Sequence, residues 1–272
     1  MTSTNYTLPL PGQFYTDGVA VVPGLYSPPE IAALLRCLES ATGDPSSPET
    51  PEVFALRDLM GEVPDLWPLL HDTPLQTLLA HIFPTGCHLV KAIYFDKPTL
   101  LSWRVGWHQD LMINVDCRVA LPGFGPWTRK AEGVAVQPPA AVLENMCTVR
   151  IHLDDCDATN GALNAVPGSH RHGVVQHTNI APLVTEPVLC EVPAGGAVLM
   201  RPLVLHASNR STGARPRRVI HLEFASVELP DALQWRERRL VQLPASTAGL
   251  APVRIGKNNG HAELAEASLP RN

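Results

Sequence analysis

The stretch 187-PVLCEVPAGGAVLMRPLVLHASN-209 decides the fold. It holds three apolar runs, near 187–192, 196–201 and 203–209, each punctuated by proline or by Ala194-Gly195-Gly196. Short apolar runs bounded by such breakers read as strands. Working outward, the same grammar predicts strands near 88–96, 102–112, 143–153, 162–167 and 217–226. Further turns fall at Asn160-Gly161, Pro167-Gly168 and Thr212-Gly213-Ala214. Eight short strands between His88 and Ser226 predict a sandwich or closed barrel.

Upstream the signals are helical. Ser27-Pro28-Pro29-Glu30 is a capping box with proline at the first helical position. Behind it Ile31, Leu34, Leu35 and Leu38 keep the spacing of one buried helical face. Thr73-Pro74 opens a second helix, with Leu75, Leu78, Leu79 and Ile82 as its stripe. Residues 42–52 read as a polar loop, and 113–142 as a long lid or binding loop. The expected organisation is one domain over 1–245, with a helical cover at 12–84 and a β core at 88–226. Residues 246–272 read as a surface-bound or frayed tail.

Composition narrows the class. With 27 prolines in 272 residues, coiled coils and helical bundles are excluded, and 45% hydrophobic content excludes disorder of the whole chain. A net charge of −5 makes no case for nucleic acid or an anionic membrane as partner. No apolar run reaches the ~20 residues that span a bilayer. The start, MTSTNYTLPL, has neither a basic segment nor an apolar signal region. Six cysteines without a CxxC pair read as reduced thiols of a cytoplasmic protein. No feature of the sequence sets an oligomeric state.

Eleven histidines beside those scattered cysteines point to nitrogen and oxygen ligands for any metal. In His108-Gln109-Asp110 the i and i+2 side chains of a strand face one way, so both can reach one ion. A third ligand from another strand would complete a two-histidine, one-carboxylate face, the Fe(II) oxygenase arrangement that leaves positions open. Chance alone supplies roughly half a His-x-Asp match in such a chain. His152-Leu153-Asp154, His221-Leu222-Glu223 and His261-Ala262-Glu263 are rivals. Context favours His108, which follows Trp107 and precedes the long loop. Asp154 opens what reads as a solvated acidic turn, and His261 lies in the polar tail. His206 is the candidate third ligand. Eleven residues on, Arg217 shares strand parity with Val219 and His221, opposite Arg218, Ile220, Leu222 and Phe224. A planar guanidinium facing into a barrel suits a carboxylate.

The strings W-H-Q-D at 107–110, N-G-A-L-N-A-V-P-G-S-H at 160–170, H-A-S-N-R-S at 206–211 and R-P-R-R at 215–218 together resemble the phytanoyl-CoA dioxygenase family. The resemblance covers roughly residues 12–240. It implies a mainly β fold with N-terminal helices, a double-stranded β-helix (jelly-roll, cupin-like) barrel. It also implies Fe(II), with 2-oxoglutarate and O2 as co-substrates. His108, Asp110 and His206 match the family's iron ligands, Arg217 the clamp on the distal carboxylate of 2-oxoglutarate, and Ser208 the hydroxyl beside it. The implied reaction hydroxylates an unactivated C–H bond with release of succinate and CO2. Where many members carry tryptophan, this chain has Thr148-Val149-Arg150-Ile151-His152, so Thr148, Arg150 and His152 share one face. Lys91 and Ile93 share a face with Phe95 on an earlier strand. If these faces look inward, Arg150 or Lys91 can bind an anionic group of the substrate or co-substrate. Few lysines and the net −5 favour a small, carboxylated molecule over an acyl-CoA. The alternatives are an acyl-CoA hydroxylase of the same mechanism, or a cupin-type enzyme or binding protein that uses no 2-oxoglutarate.

Overall fold

A computed structural model describes residues 13–42, 55–71, 73–97, 104–130, 133–212 and 215–244. The eight expected strands are all present: β3 (His88–Lys97), β4 (Val105–His108), β8 (Met146–His152), β9 (Leu163–Ala165), β10 (Val188–Cys190), β11 (Ala197–Met200), β12 (His206–Ser208) and β13 (Arg217–Ala225). Six more accompany them: β1 (Val19–Val22), β2 (Ala55–Arg57), β5 (Ile113–Val115), β6 (Trp127–Lys130), β7 (Gly133–Val136) and β14 (Arg239–Leu240). The larger sheet runs β1-β11-β8-β13-β3-β14, with β2 also on β3, and the second runs β10-β9-β12-β4. All pairings are antiparallel. This is the double-stranded β-helix, mainly β with its helices at the N-terminal side.

The larger sheet buries both faces. Its outer face carries Ala92, Tyr94, Val149, Ile151, Leu199, Ile220, Leu222 and Phe224. After the short α1 (Gln13–Asp17), these pack against α2 (Pro28–Thr42), α3 (Leu59–Glu62), α4 (Leu66–Leu70) and α5 (Thr73–Ile82) through Ile31, Leu34, Leu38, Leu59, Leu66, Leu70, Leu75, Leu78 and Leu79. The expected helical stripes are therefore the ones that meet the sheet. The Ser27 cap forms with one difference from the expected box. Glu30 accepts the Ser27 backbone N–H at 2.6 Å, but the Ser27 hydroxyl also donates to that carboxylate. The polar loop at 42–52 lies, but for Thr42, outside the described residues, as does the tail beyond 244.

The 113–142 segment departs from expectation. It is folded as its own three-stranded sheet, β5-β7-β6, followed by α6 (Ala140–Glu144). Ile113, Val115 and Val136 bury against Leu143, Met146, Leu233 and Trp235, and Val115 bridges to Trp235. An apolar underside fixes this segment against the rest of the core.

Candidate metal centre and co-substrate pocket

β12 and β4 are neighbours in the smaller sheet, and their register sets His206 opposite His108. The two imidazoles lie with ring centroids 4.2 Å apart. Asp110 turns back between them, with Oδ1 3.7 Å from His108 Nε2 and Oδ2 3.6 Å from His206 Nε2. One ligand atom from each residue falls within 4.8 Å of the others. Both Nδ1 atoms face backbone carbonyls, His108 at Gly106 O (2.8 Å) and His206 at Val204 O (2.9 Å). A carbonyl only accepts, so Nδ1 carries the proton in both rings and each Nε2 offers its lone pair.

The surrounding chain holds this face in place. Gln109, on the opposite side of the strand end, donates to Gly173 O and Leu203 O and accepts from Val175 N–H. Asp110 N–H donates to Pro202 O. In the Pro167-Gly168-Ser169-His170 turn, the Ser169 hydroxyl donates to Val166 O and accepts the N–H of Leu205, one residue before His206. Burial acts to raise the Asp110 pKa, but His206, His221, His108 and Lys91 outweigh it and hold the carboxyl at about 2. Burial, with Asp110 opposing, lowers His206 to about 4. A carboxylate and two imidazoles offering Nε2 are the donor set that Fe(II) takes.

Arg217 is 7% exposed and donates to Gly161 O. That carbonyl is delivered by the Asn160-Gly161 turn. Asn160 accepts from Asp157 N–H and donates to Asp155 O, and Gly161 adopts a φ of +84° where a Cβ would lie 2.8 Å from Asn209 O. Only glycine sits there without strain. Among the described residues Arg217 has no carboxylate partner. Burial lowers its pKa, as it does for Arg150, which falls to about 10 with Arg217 as a further cause. Thr148, Arg150 and His152 share the inward face of β8, where their cross-strand partners on β13 are Glu223, His221 and Val219. His152 is neutral, driven to about 3 by burial and then by Arg150 and Arg217. Both of its ring nitrogens and the Thr148 hydroxyl are buried without a partner among the described residues. The Arg217 guanidinium, with Arg150 and the His152 ring nearby, fits a dicarboxylate co-substrate, since neither guanidinium has a carboxylate partner among the described residues. Ser208 is buried two residues beyond His206 on the same strand.

Lys91 is turned inward but already paired. Its Nζ lies 2.9 Å from Glu223 Oε1, which lies 3.0 Å from His221 Nε2. Arg150 Nη1 then meets His221 Nδ1 at 2.8 Å. Arginine only donates, so Nδ1 accepts and Nε2–H donates to Glu223. The result is an ordered chain, Lys91–Glu223–His221–Arg150, that sets the Arg150 guanidinium over Phe95. His221-Leu222-Glu223, a rival metal motif by sequence, thus supplies two members of that chain. Its parity with Arg217 is the sequence signal that both side chains belong to the pocket lining. The other rivals dissolve too. Asp154 is no solvated turn residue but receives Arg218 through Nε (3.0 Å) and Nη2 (2.7 Å) at the outer edge, and His261 is outside the described residues.

Fold and donor set together define a non-haem Fe(II)- and 2-oxoglutarate-dependent oxygenase. The chain belongs to the phytanoyl-CoA dioxygenase family, whose model, Phytanoyl-CoA dioxygenase (PhyH), matches residues 14–219. This membership sets aside the reading without 2-oxoglutarate. Similar solved structures include EctD from S. alaskensis with 2-oxoglutarate and 5-hydroxyectoine (TM-score 0.61, 20% identity, 79% of this chain and 74% of that one). AviO1 from Streptomyces viridochromogenes Tue57 is also similar (TM-score 0.57, 23% identity, 80% and 94% covered). So is EvdO2 from Micromonospora carbonacea var. aurantiaca complexed with 2-oxoglutarate (TM-score 0.57, 18% identity, 79% and 89% covered). No curated protein matches the sequence significantly. Among the described residues no helix is long and apolar enough to cross a membrane.

Proposed function

We propose that the enzyme hydroxylates an unactivated C–H bond of a small molecule. In this reading His108, Asp110 and His206 hold Fe(II), while Arg217 and Ser208 hold the far carboxylate of 2-oxoglutarate. The observation that carries it is Arg217, a buried cation without a carboxylate partner among the described residues, in the same β sandwich as an open His–Asp–His face. When bound, iron and 2-oxoglutarate supply activation of O2 coupled to decarboxylation of the co-substrate to succinate and CO2. The protein's own part is orientation. The two Nδ1–carbonyl bonds aim the Nε2 lone pairs, and Gln109 locks the segment that carries Asp110. Arg217, buried, and Arg150, partly so, provide positive charge shielded from solvent, where it acts on an anion more strongly than in water. His152, close to both guanidiniums, offers a hydrogen-bonding ring nitrogen to the same ligand. EctD, which holds 5-hydroxyectoine, supports a small-molecule substrate by analogy of fold.

Anaerobic titration tests the assignment. Fe(II) plus 2-oxoglutarate should produce a weak visible charge-transfer band, with Arg217→Ala requiring at least tenfold more 2-oxoglutarate to reach it. A wild-type protein that loads iron and shows no band overturns the reading.

A further inference from the structure

Beside the metal-ligating segment lies a second cleft, lined by Arg57, Asp58, Lys91, Asn114, Arg236 and Glu237 among others. It lies near the centre: Lys91 and Met112 line it, Met112 is two residues beyond Asp110, and Lys91 acts electrostatically on Asp110. Its walls come from the barrel strand β3, the end of β2, the β5–β7 sheet and the 236–237 segment. The metal and co-substrate residues leave all of these except Lys91 unused.

Two features mark the cleft as built for a ligand with both charges. The first is Arg236. Its backbone is pinned by N–H donation to Asn114 O (3.1 Å), and its guanidinium lies over Gly133. Gly133 has a φ of +131°, a conformation that suits glycine, and the solvent-exposed guanidinium rests in the space beside it. Among the described residues no carboxylate pairs with Arg236. The second is Glu237. β2 pairs with Ile93–Phe95 and β14 with His88–Leu89, which leaves the Ala92 N–H in the gap between them. Glu237 Oε2 accepts that N–H at 3.0 Å. One backbone donor needs only a neutral acceptor, yet the position holds a partly buried acid with Asp58 in electrostatic reach. Burial first, then Asp58, lifts its pKa to about 7, the behaviour of a carboxylate short of a cation. Lys91 opposes this rise without cancelling it, its ammonium being bonded to Glu223.

We propose that this cleft binds the prime substrate, and that the substrate is a small amino acid. Its carboxylate meets Arg236, with Arg57 at the rim, and its ammonium meets Glu237 and Asp58. A phosphorylated or CoA-linked molecule is disfavoured, since its several negative charges would face both acids. The proposal rests on the reading of His108, Asp110 and His206 as the metal face, because that face makes the neighbouring cleft the place for a reacting molecule.

The test uses the full-length protein with Fe(II) and 2-oxoglutarate under argon, and a panel of α- and ω-amino acids. Each is paired with its N-acetyl form, which lacks the ammonium, and its methyl ester, which lacks the carboxylate. Binding is read twice, by the change in the visible band and by the thermal midpoint. At least one free amino acid should shift both, and removing either charge should weaken that binding at least tenfold. Arg236→Gln and Glu237→Gln should each weaken it at least tenfold while the Fe(II)–2-oxoglutarate band forms as in wild type. In Glu237→Gln the side-chain amide keeps an acceptor for Ala92 N–H, so the fold is not at stake in that variant. Capped derivatives that bind as well as their parents, variants that bind like wild type, or a panel with no binder each overturn the proposal. A failed metal assignment shows separately, as absence of the band before any amino acid is added.

Discussion

On β8 and β13, Val149, Ile151, Ile220, Leu222 and Phe224 point to the helices, while Thr148, Arg150, His152, Arg217, His221 and Glu223 point into the barrel. Both sets are buried but for Arg150, which is partly exposed. The outer set gains about 25 cal/mol for each Å2 of apolar surface taken from water and asks for nothing in return. The inner set loses hydration for three charged groups and two imidazoles, and recovers only part of it through the Lys91–Glu223–His221–Arg150 chain. Burial therefore does not distinguish core from site here. Strand parity does, and a one-residue shift in register would exchange the two.

Substitutions on the two faces should separate stability from function. The largest effect is expected at the centre. Asp110→Ala should abolish succinate release and weaken Fe(II) binding by more than the ~10–100-fold that outer partners of a metal site command. Circular dichroism and the thermal midpoint should stay close to wild type. Next comes the opposite case. Phe224→Ala empties a fully buried site under the helices and should cost about 3–5 kcal/mol by denaturant unfolding. The folded fraction should still form the Fe(II)–2-oxoglutarate band. If Phe224→Ala lost the band at full stability, the two faces would not be separable in the way their chemistry implies.

Arg217→Lys probes the inner face more finely. Lysine keeps the charge but loses the planar fork, so 2-oxoglutarate should bind about 10–100-fold more weakly, with little change in unfolding midpoint. An unchanged affinity would mean that the carboxylate is held elsewhere, with Arg150 the first candidate.

The contrast between faces also bears on what the sequence makes legible. Strand runs such as Met146–His152 and Arg217–Ala225 are long enough for alternation to declare both faces, and the His108–Asp110 pair follows from the same period. β1, β2 and β5 are three or four residues each, and so short a run acquires its identity from its partner. Val19–Val22 becomes a strand because Met200 to Ala197 lie opposite in register. The 113–136 sheet is invisible as such in the sequence because what buries it, Leu233 and Trp235, lies about a hundred residues downstream. Glu237 is of the same kind. Nothing local marks it, because the bare Ala92 N–H it serves exists only where β2 stops and β14 has not begun.

Glu237 stands apart from the rule of two faces, since it is a partly buried acid outside the ordered ionic chain. Its pKa rises from the ordinary 4.5 to about 7 through burial and Asp58. Between those two values the folded protein retains a proton that the unfolded chain has released, so stability falls as pH rises across that window. Below about pH 4.5 both states hold the proton and this contribution is complete; above about 7 it is lost. Glu237→Gln removes the titration while keeping an acceptor for Ala92. The variant should match wild type near pH 4.5 and exceed it by about 1–3 kcal/mol at pH 8, measured as the difference in urea unfolding between the two proteins. Asp110 titrates in the opposite sense but well below this range, and it is common to both proteins, so the difference isolates Glu237. A difference that stays flat from pH 4.5 to 8 would mean that Glu237 is ionised throughout, its charge already met within the folded protein. The smallest of these effects is thus the one that reports whether the cleft awaits a cation.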